Sequence, residues 1–251
     1  MSDKSVSQKK PERPEEGQGL AMLGFFGFVM VALILAYAAN EGAMGSSAHA
    51  EESILDGGTA VEAQLDPESM LYVIIPVAQE TLFSGFAPEE HVIRALQWES
   101  LIRFDDRENP QQCEVELTVP VAGLRVDYGP DREALGLEDE LDQGERARIA
   151  GDMRSEDQLF EQEFPEISFR TLECDRQDDG SWIAAMEVQV RGERAIYDTE
   201  LDLNVEDGRF SVRAEFEGRH QDFGMEPYSA FFGTLRNSEV IEFGIDGFGE
   251  F

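Results

Sequence analysis

Beyond residue 70, apolar and polar side chains alternate with a period of two, row after row, and few folds can satisfy that pattern. An extended chain points successive side chains to opposite faces, so each row marks a strand with one buried face. Leu71, Val73, Ile75 and Val77 form the first row, and Leu96, Trp98, Ile102 and Phe104, interrupted by Ser100, form a second. Cys113, Val115, Leu117, Val119 and Val121 form a third, with Glu114, Glu116 and Thr118 facing away. Ile167 and Phe169 lie on a fourth, and Trp182, Ala184, Met186, Val188 and Val190 on a fifth. Tyr197, Thr199, Leu201, Leu203 and Val205 make a sixth, followed by Phe210, Val212, Ala214 and Phe216. Val240–Ile245 closes the set.

Turn signals stand where such strands must reverse: Asp178-Asp179-Gly180, Arg191-Gly192 and Glu206-Asp207-Gly208. About eight short strands at this spacing imply an all-β antiparallel sandwich or barrel rather than a parallel sheet. One stretch departs from the pattern. Gly144–Phe164 is polar and helix-favouring, with Ile149, Met153 and Phe160 as its apolar points, and reads as a helical excursion. A second helical turn is expected over Tyr228–Leu235, because Pro227 suits a first helical position.

Charge narrows the function. The 251 residues carry 20 basic and 53 acidic side chains, a net charge of −33. Lys10 is the last lysine, so every later cation except histidine is an arginine. A nucleic-acid face needs clustered cations to replace the counterions on phosphate, and this chain has none, which excludes nucleic acid as a partner. The same field opposes anionic lipid headgroups. Acid-rich, lysine-poor surfaces suit high salt, where self-repulsion is screened, and equally suit an ordinary soluble exported surface.

The N-terminal part has its own logic. Residues 1–18 carry Lys4, Lys9, Lys10 and Arg13 and read as a cytoplasmic tail. Residues 19–39 are an uncharged apolar run reaching roughly 31 Å as a helix, about the thickness of a bilayer's hydrocarbon core. The positive-inside rule then places everything after it outside the cytoplasm, in the periplasm or at the cell surface. The alternative is a cleaved signal peptide and a secreted product, with Ala48-His49-Ala50 before Glu51, or Ala36-Tyr37-Ala38, as cleavage site. The run exceeds a typical signal core of ~7–15 residues, which favours a retained anchor. Residues 40–66, rich in Gly, Ala, Ser and Glu, read as a flexible exported linker to a domain over 67–251.

Three stretches carry a family resemblance. The first is Cys113–Asp127. The second is Arg146–Thr171, with Met-Arg-Ser-Glu-Asp-Gln-Leu-Phe from Met153 and Phe-Pro-Glu-Ile-Ser-Phe from Phe164. The third runs from His220 to Leu235, with Phe223-Gly224, Pro227-Tyr228 and Gly233 at its centre. Together they resemble the YceI-like family of exported lipid-binding barrels, over roughly residues 67–251. The resemblance implies a lipocalin-like antiparallel barrel whose lumen binds a polyisoprenoid or related, quinone-like lipid. An eight-stranded barrel is about the smallest that can enclose a ligand. Burying hydrocarbon is worth ~0.8 kcal/mol per methylene, so a few isoprene units suffice for binding without a charged contact.

The lumen candidates are the inward rows and the aromatics near the helical excursions: Leu117, Val119, Phe169, Met186, Val188, Phe210, Val212, Phe223, Tyr228 and Phe231. Each has an ordinary role as well, since a filled barrel core uses the same residue types. One feature departs from the family: many members carry paired histidines near the second strand, where this chain has Glu89-Glu90-His91. With only His49, His91 and His220 available, a polar site does not transfer from those relatives. His91 and His220 read as partly exposed loop residues.

Catalytic patterns are missing. There is no Gly-x-Ser-x-Gly elbow, no Cys-x-x-Cys and no His-x-x-x-His, and no phosphate-cradling Gly loop. The acidic runs Glu138-Asp139-Glu140 and Asp175–Asp179 lack EF-hand spacing. The expectation is a non-enzyme with neither metal nor cofactor. Cys113 begins one expected strand and Cys174 ends another, so they form either a disulfide, which an exported domain can keep, or two buried thiols. The reading from another class is a structural domain whose barrel is filled by its own side chains and whose acidic surface meets a partner. The sequence leaves the oligomeric state open, and a homodimer is compatible with it.

Overall fold

The computed structural model describes residues 60–78, 90–137, 141–230 and 235–251. It contains strands β1 (Val61–Ala63), β2 (Met70–Pro76), β3 (Glu90–Ala95), β4 (Glu99–Phe104), β5 (Cys113–Pro120), β6 (Leu124–Val126) and β7 (Glu166–Arg176). They are followed by β8 (Trp182–Val190), β9 (Glu193–Glu206), β10 (Arg209–Arg219), β11 (Ser229–Ala230), β12 (Leu235–Arg236) and β13 (Val240–Glu250). Helices α1 (Gly129–Ala134) and α2 (Gln143–Arg154) interrupt the series. Among the described residues no helix is long and apolar enough to cross a membrane; the span expected over 19–39 lies outside them.

Eleven strands form one antiparallel sheet in the order β1-β4-β5-β7-β8-β9-β10-β13-β2-β3-β6. The sheet curls onto itself through one bent hairpin. β3 and β4 are two halves of one arm, and β5 and β6 are two halves of the other. The near half pairs Ala95 with Leu124, the far half pairs Glu99 with Thr118, and the Leu96 N–H donates to Gly123 O (3.0 Å) across the bend. β3 pairs with β2 and β5 pairs with β7, so the ladder passes around the molecule and eight staves result. Pro120, which has no N–H to donate, ends β5 and precedes the 3-10 turn Val121–Gly123 where the arm turns.

Two seams show local chemistry setting register. Arg191-Gly192 and Asp207-Gly208 form two-residue hairpin loops with φ of 54° and 79°, and of 53° and 77°. Both residues left-handed is the primed turn whose twist matches the flanking strands, and glycine takes its second position without steric cost. On β7 the register shifts between Thr171 and Glu173, a bulge. It moves the inward row from Ile167, Phe169 and Thr171 onto Cys174, whose side chain then meets Cys113. The two form a disulfide with Cα atoms 5.1 Å apart, both residues buried.

The free edge of β6 is covered rather than paired. Arg154, the last residue of α2, donates to Leu124 O at 2.8 Å. Beside this edge lies a buried ionic cluster. Asp127 accepts from the Val92 N–H (2.8 Å) and from Arg132 Nη1 (2.9 Å), and its other oxygen meets His91 Nδ1 (2.8 Å). Asp131 takes Arg94 Nη1 at 2.9 Å, Arg125 Nη2 at 2.7 Å and Arg125 Nε at 2.8 Å. Asp127, Asp131 and Arg132 are each at most 2% exposed. Charges so deep are tolerable because each is paired and hydrogen-bonded.

Four expectations need correction. Glu90–Ala95 is a strand that the alternation did not reveal, because its outward face carries Val92 and its inward face His91. The row Leu96–Phe104 is not one strand: Leu96 is exposed at the bend and β4 starts at Glu99. Ser229–Ala230 is extended and paired with β12, and the Asn237 N–H donates to Tyr228 O (2.9 Å), so no helical turn starts at Tyr228; residues 231–234 of the expected turn lie outside the described residues. β1 falls inside the stretch read as linker, and Leu65 belongs to the core.

Candidate functional site

The inward rows enclose an apolar cavity of about 200 Å³. Its staves are positioned by alternation: Leu71, Val73 and Ile75 on β2, Val115, Leu117 and Val119 on β5, Ile167 and Phe169 on β7, Val212, Ala214 and Phe216 on β10, and Ile241, Phe243 and Ile245 on β13. Aromatic clusters bound it at both ends. Phe104, Phe210 and Phe251 lie 5.4 to 6.1 Å apart at one end, beside Trp182 and the disulfide. There Gly249 is indispensable, because a Cβ would come within 2.3 Å of Gln64 O and 2.5 Å of the Phe210 ring. At the other end Phe243 stacks on Phe216 at 4.9 Å and meets Phe169 edge-on at 6.1 Å and Phe223 at 6.3 Å.

On one side the wall is not sheet. Between β6 and β7, Met153 of α2 and Leu159 of the following turn reach the cavity. This flap presents no buried residue of α2 and is held by a few polar contacts: Arg154 to Leu124 O, Tyr228 Oη to Asp152 Oδ2 (3.0 Å), and Gln158 Nε2 to Glu226 O (3.1 Å).

Of the ten sequence candidates, Leu117, Val119, Phe169, Met186, Val212 and Phe223 line the cavity. Val188, in the same row as Met186, is fully buried in side-chain packing with Phe223, Ile241 and Phe243. Phe210 belongs to the aromatic plug. Tyr228 sits outside the lumen, its hydroxyl on α2, and Phe231 lies outside the described residues. β2 and β13, whose alternation is plain in the sequence, contribute much of the wall, although none of their residues stands among the ten candidates. Ile93 was missed with its strand, and Leu159 follows no period.

Polar groups on the wall are few. Thr199 Oγ1 donates to the Glu200 and Glu215 carbonyls (3.4 Å each), Thr171 Oγ1 accepts from the Val115 N–H (2.9 Å), and Tyr72 Oη donates to Glu215 (2.7 Å). His220, expected as a partly exposed loop residue, is 1% exposed, because the 3-10 turn His220–Phe223 folds it under the barrel rim. Its Nδ1 lies 3.2 Å from Glu239 O, and burial pushes the imidazole below the ordinary histidine range against the weaker pull of Glu239. His91, on the inward row of β3 but not among the residues lining the cavity, is instead tied to Asp127. Among the described residues no cluster of three or more His, Cys, Asp or Glu is placed to hold a metal.

No protein-family model matches the sequence, and no curated protein matches it. Solved structures do match the fold. The chain is similar to Burkholderia cenocepacia BcnA, with a TM-score of 0.53 at 9% identity, over 73% of this chain and 98% of that one. A polyisoprenoid binding domain from Saccharophagus degradans matches with a TM-score of 0.47 at 12% identity, over 75% and 97%. The Campylobacter jejuni YCEI protein matches with a TM-score of 0.41 at 10% identity, over 61% and 83%. At such identities a match speaks for the fold, and the fold shared with BcnA is the curled, mostly antiparallel barrel with few helices that the YceI-like resemblance implies.

Proposed function

We propose that this chain is a YceI-like carrier whose barrel lumen binds an apolar lipid, isoprenoid or quinone-like, without catalysis. The observation that supports this reading best is the cavity itself: free space walled by Leu, Ile, Val, Met and Phe side chains. Apolar cavities of this kind stay dry and take up hydrocarbon. A free volume of about 200 Å³ is small against the ~300–1,000 Å³ of typical ligand sites, so a long chain must displace the flap at Met153 and Leu159 or the aromatic rim. That flap, which has no buried residue in α2 and is tied mainly by polar contacts, is the cheapest part of the wall to move. The same proposal places the barrel outside the cytoplasm, tethered by residues 19–39.

A second reading, the filled-barrel interaction domain, draws on the same small volume and on the aromatic plugs at both ends. One experiment separates them. The full chain is purified, extracted with organic solvent and the extract analysed by mass spectrometry. A stoichiometric isoprenoid establishes the carrier; a blank extract, repeated after incubation with host membrane lipids, establishes the filled barrel.

A further inference from the structure

His220 is a polar ring edge on an apolar wall, and its surroundings fix what that edge can do. The partner of Nδ1 is the Glu239 carbonyl oxygen, at 3.2 Å, and a carbonyl only accepts. Nδ1 must therefore carry a proton. In the neutral ring Nε2 is then a bare lone pair, and no described residue donates to it. The ring is 1% exposed and faces a lumen with no counter-charge, which keeps it neutral. Gln158 also lines the cavity, and its amide donates to the Asp157 and Glu226 carbonyls (3.1 Å each) and so leaves only its oxygen. Tyr72 and Thr199 spend their protons on Glu215 and on backbone carbonyls. Thr171 lies at the other end, by the β7 bulge next to the disulfide strand.

We infer that this end of the lumen is an acceptor site, at which His220 Nε2 selects lipids ending in a hydrogen-bond donor, a polyisoprenoid alcohol, over ethers, quinones and diphosphates. An ether or quinone oxygen only accepts and would meet a lone pair. A diphosphate would bring charge to a neutral ring in a chain of net charge −33. A terminal hydroxyl satisfies Nε2 while its hydrocarbon fills the apolar space. The inference rests on the carrier reading and sharpens it to one ligand class.

Equilibrium dialysis of the full chain with tritiated farnesol, competed by farnesyl methyl ether and by farnesyl diphosphate, tests it. Farnesol is expected to bind about tenfold tighter than the ether, the factor that one buried neutral hydrogen bond is worth. In His220→Phe the alcohol and the ether are expected to bind alike. Equal binding of the two by the wild-type protein overturns the inference, and this comparison holds even if the variant fails to fold. A preference that survives His220→Phe, or a diphosphate that outcompetes the alcohol, overturns it too. If neither farnesol nor its ether binds, the carrier reading itself fails, an outcome distinct from the others.

Discussion

At the scale of the residue, the buried charges and the lumen side chains make separable predictions. Asp127 sits at φ 46°, a left-handed conformation that Asp and Asn tolerate, and holds Arg132 and a backbone N–H in the interior. Asp127→Asn keeps the shape and removes the charge, so chemical denaturation should show a loss of about 3–5 kcal/mol, the usual result of leaving a buried partner uncompensated. Glu242 presents the opposite case. Burial, then the carboxylates of Glu217, Glu90 and Glu215, raise its pKa above the ordinary 4.5. A carboxyl raised on folding stabilises the fold while protonated and loses that contribution as pH rises through its folded pKa. Glu242→Gln should therefore raise the Tm at pH 7, with the advantage vanishing below about pH 4.5; an advantage unchanged by pH would refute the assignment. In the lumen, Val212→Phe adds volume where free space exists. A carrier should lose lipid uptake with its Tm nearly intact, whereas a filled barrel should lose about 1–3 kcal/mol to overpacking.

At the scale of the element, the seam between β5 and β7 depends on a bulge and a disulfide. The Thr171 hydroxyl takes the Val115 N–H that the bulge leaves without a carbonyl, and the disulfide closes a sequence separation of 61 residues. On the chain-entropy model such a loop contributes about 4 kcal/mol. Cys113→Ala combined with Cys174→Ala should lower the denaturation midpoint accordingly, and reductant should do the same to the wild-type chain but not to the variant. Helix α2 is the weaker element. With no buried residue and only Met153 against the core, it is kept in place by its capping box at Asp142 and Glu145 and by Arg154 on the β6 edge. It is the part of the wall expected to exchange amide protons first.

For the whole molecule, net charge dominates. With 20 cations against 53 anions, self-repulsion opposes the compact state, and salt screens it within about 10 Å at 0.1 M and 3 Å at 1 M. The Tm should rise between these salt concentrations; a flat or falling Tm would mean that the surface ion pairs, such as Arg103 with Glu62, outweigh the repulsion.

On most strands, alternation along the chain sufficed to separate the two faces, because that periodicity is a property of the extended backbone alone. The glycine-bearing loops at 192 and 208 were legible for the same reason: positive φ is a local demand. Closure was not local. It depends on a hairpin bent at Leu96 and Gly123, and on a strand, β3, whose mixed faces hide its period. The disulfide needed a bulge that shifts the inward row by one residue. Met186 and Val188 share one row, yet the first borders free space and the second is packed solid. Free volume is set by what distant strands bring opposite each side chain, so only the tertiary structure decided where the barrel is hollow and that His220 lies within it.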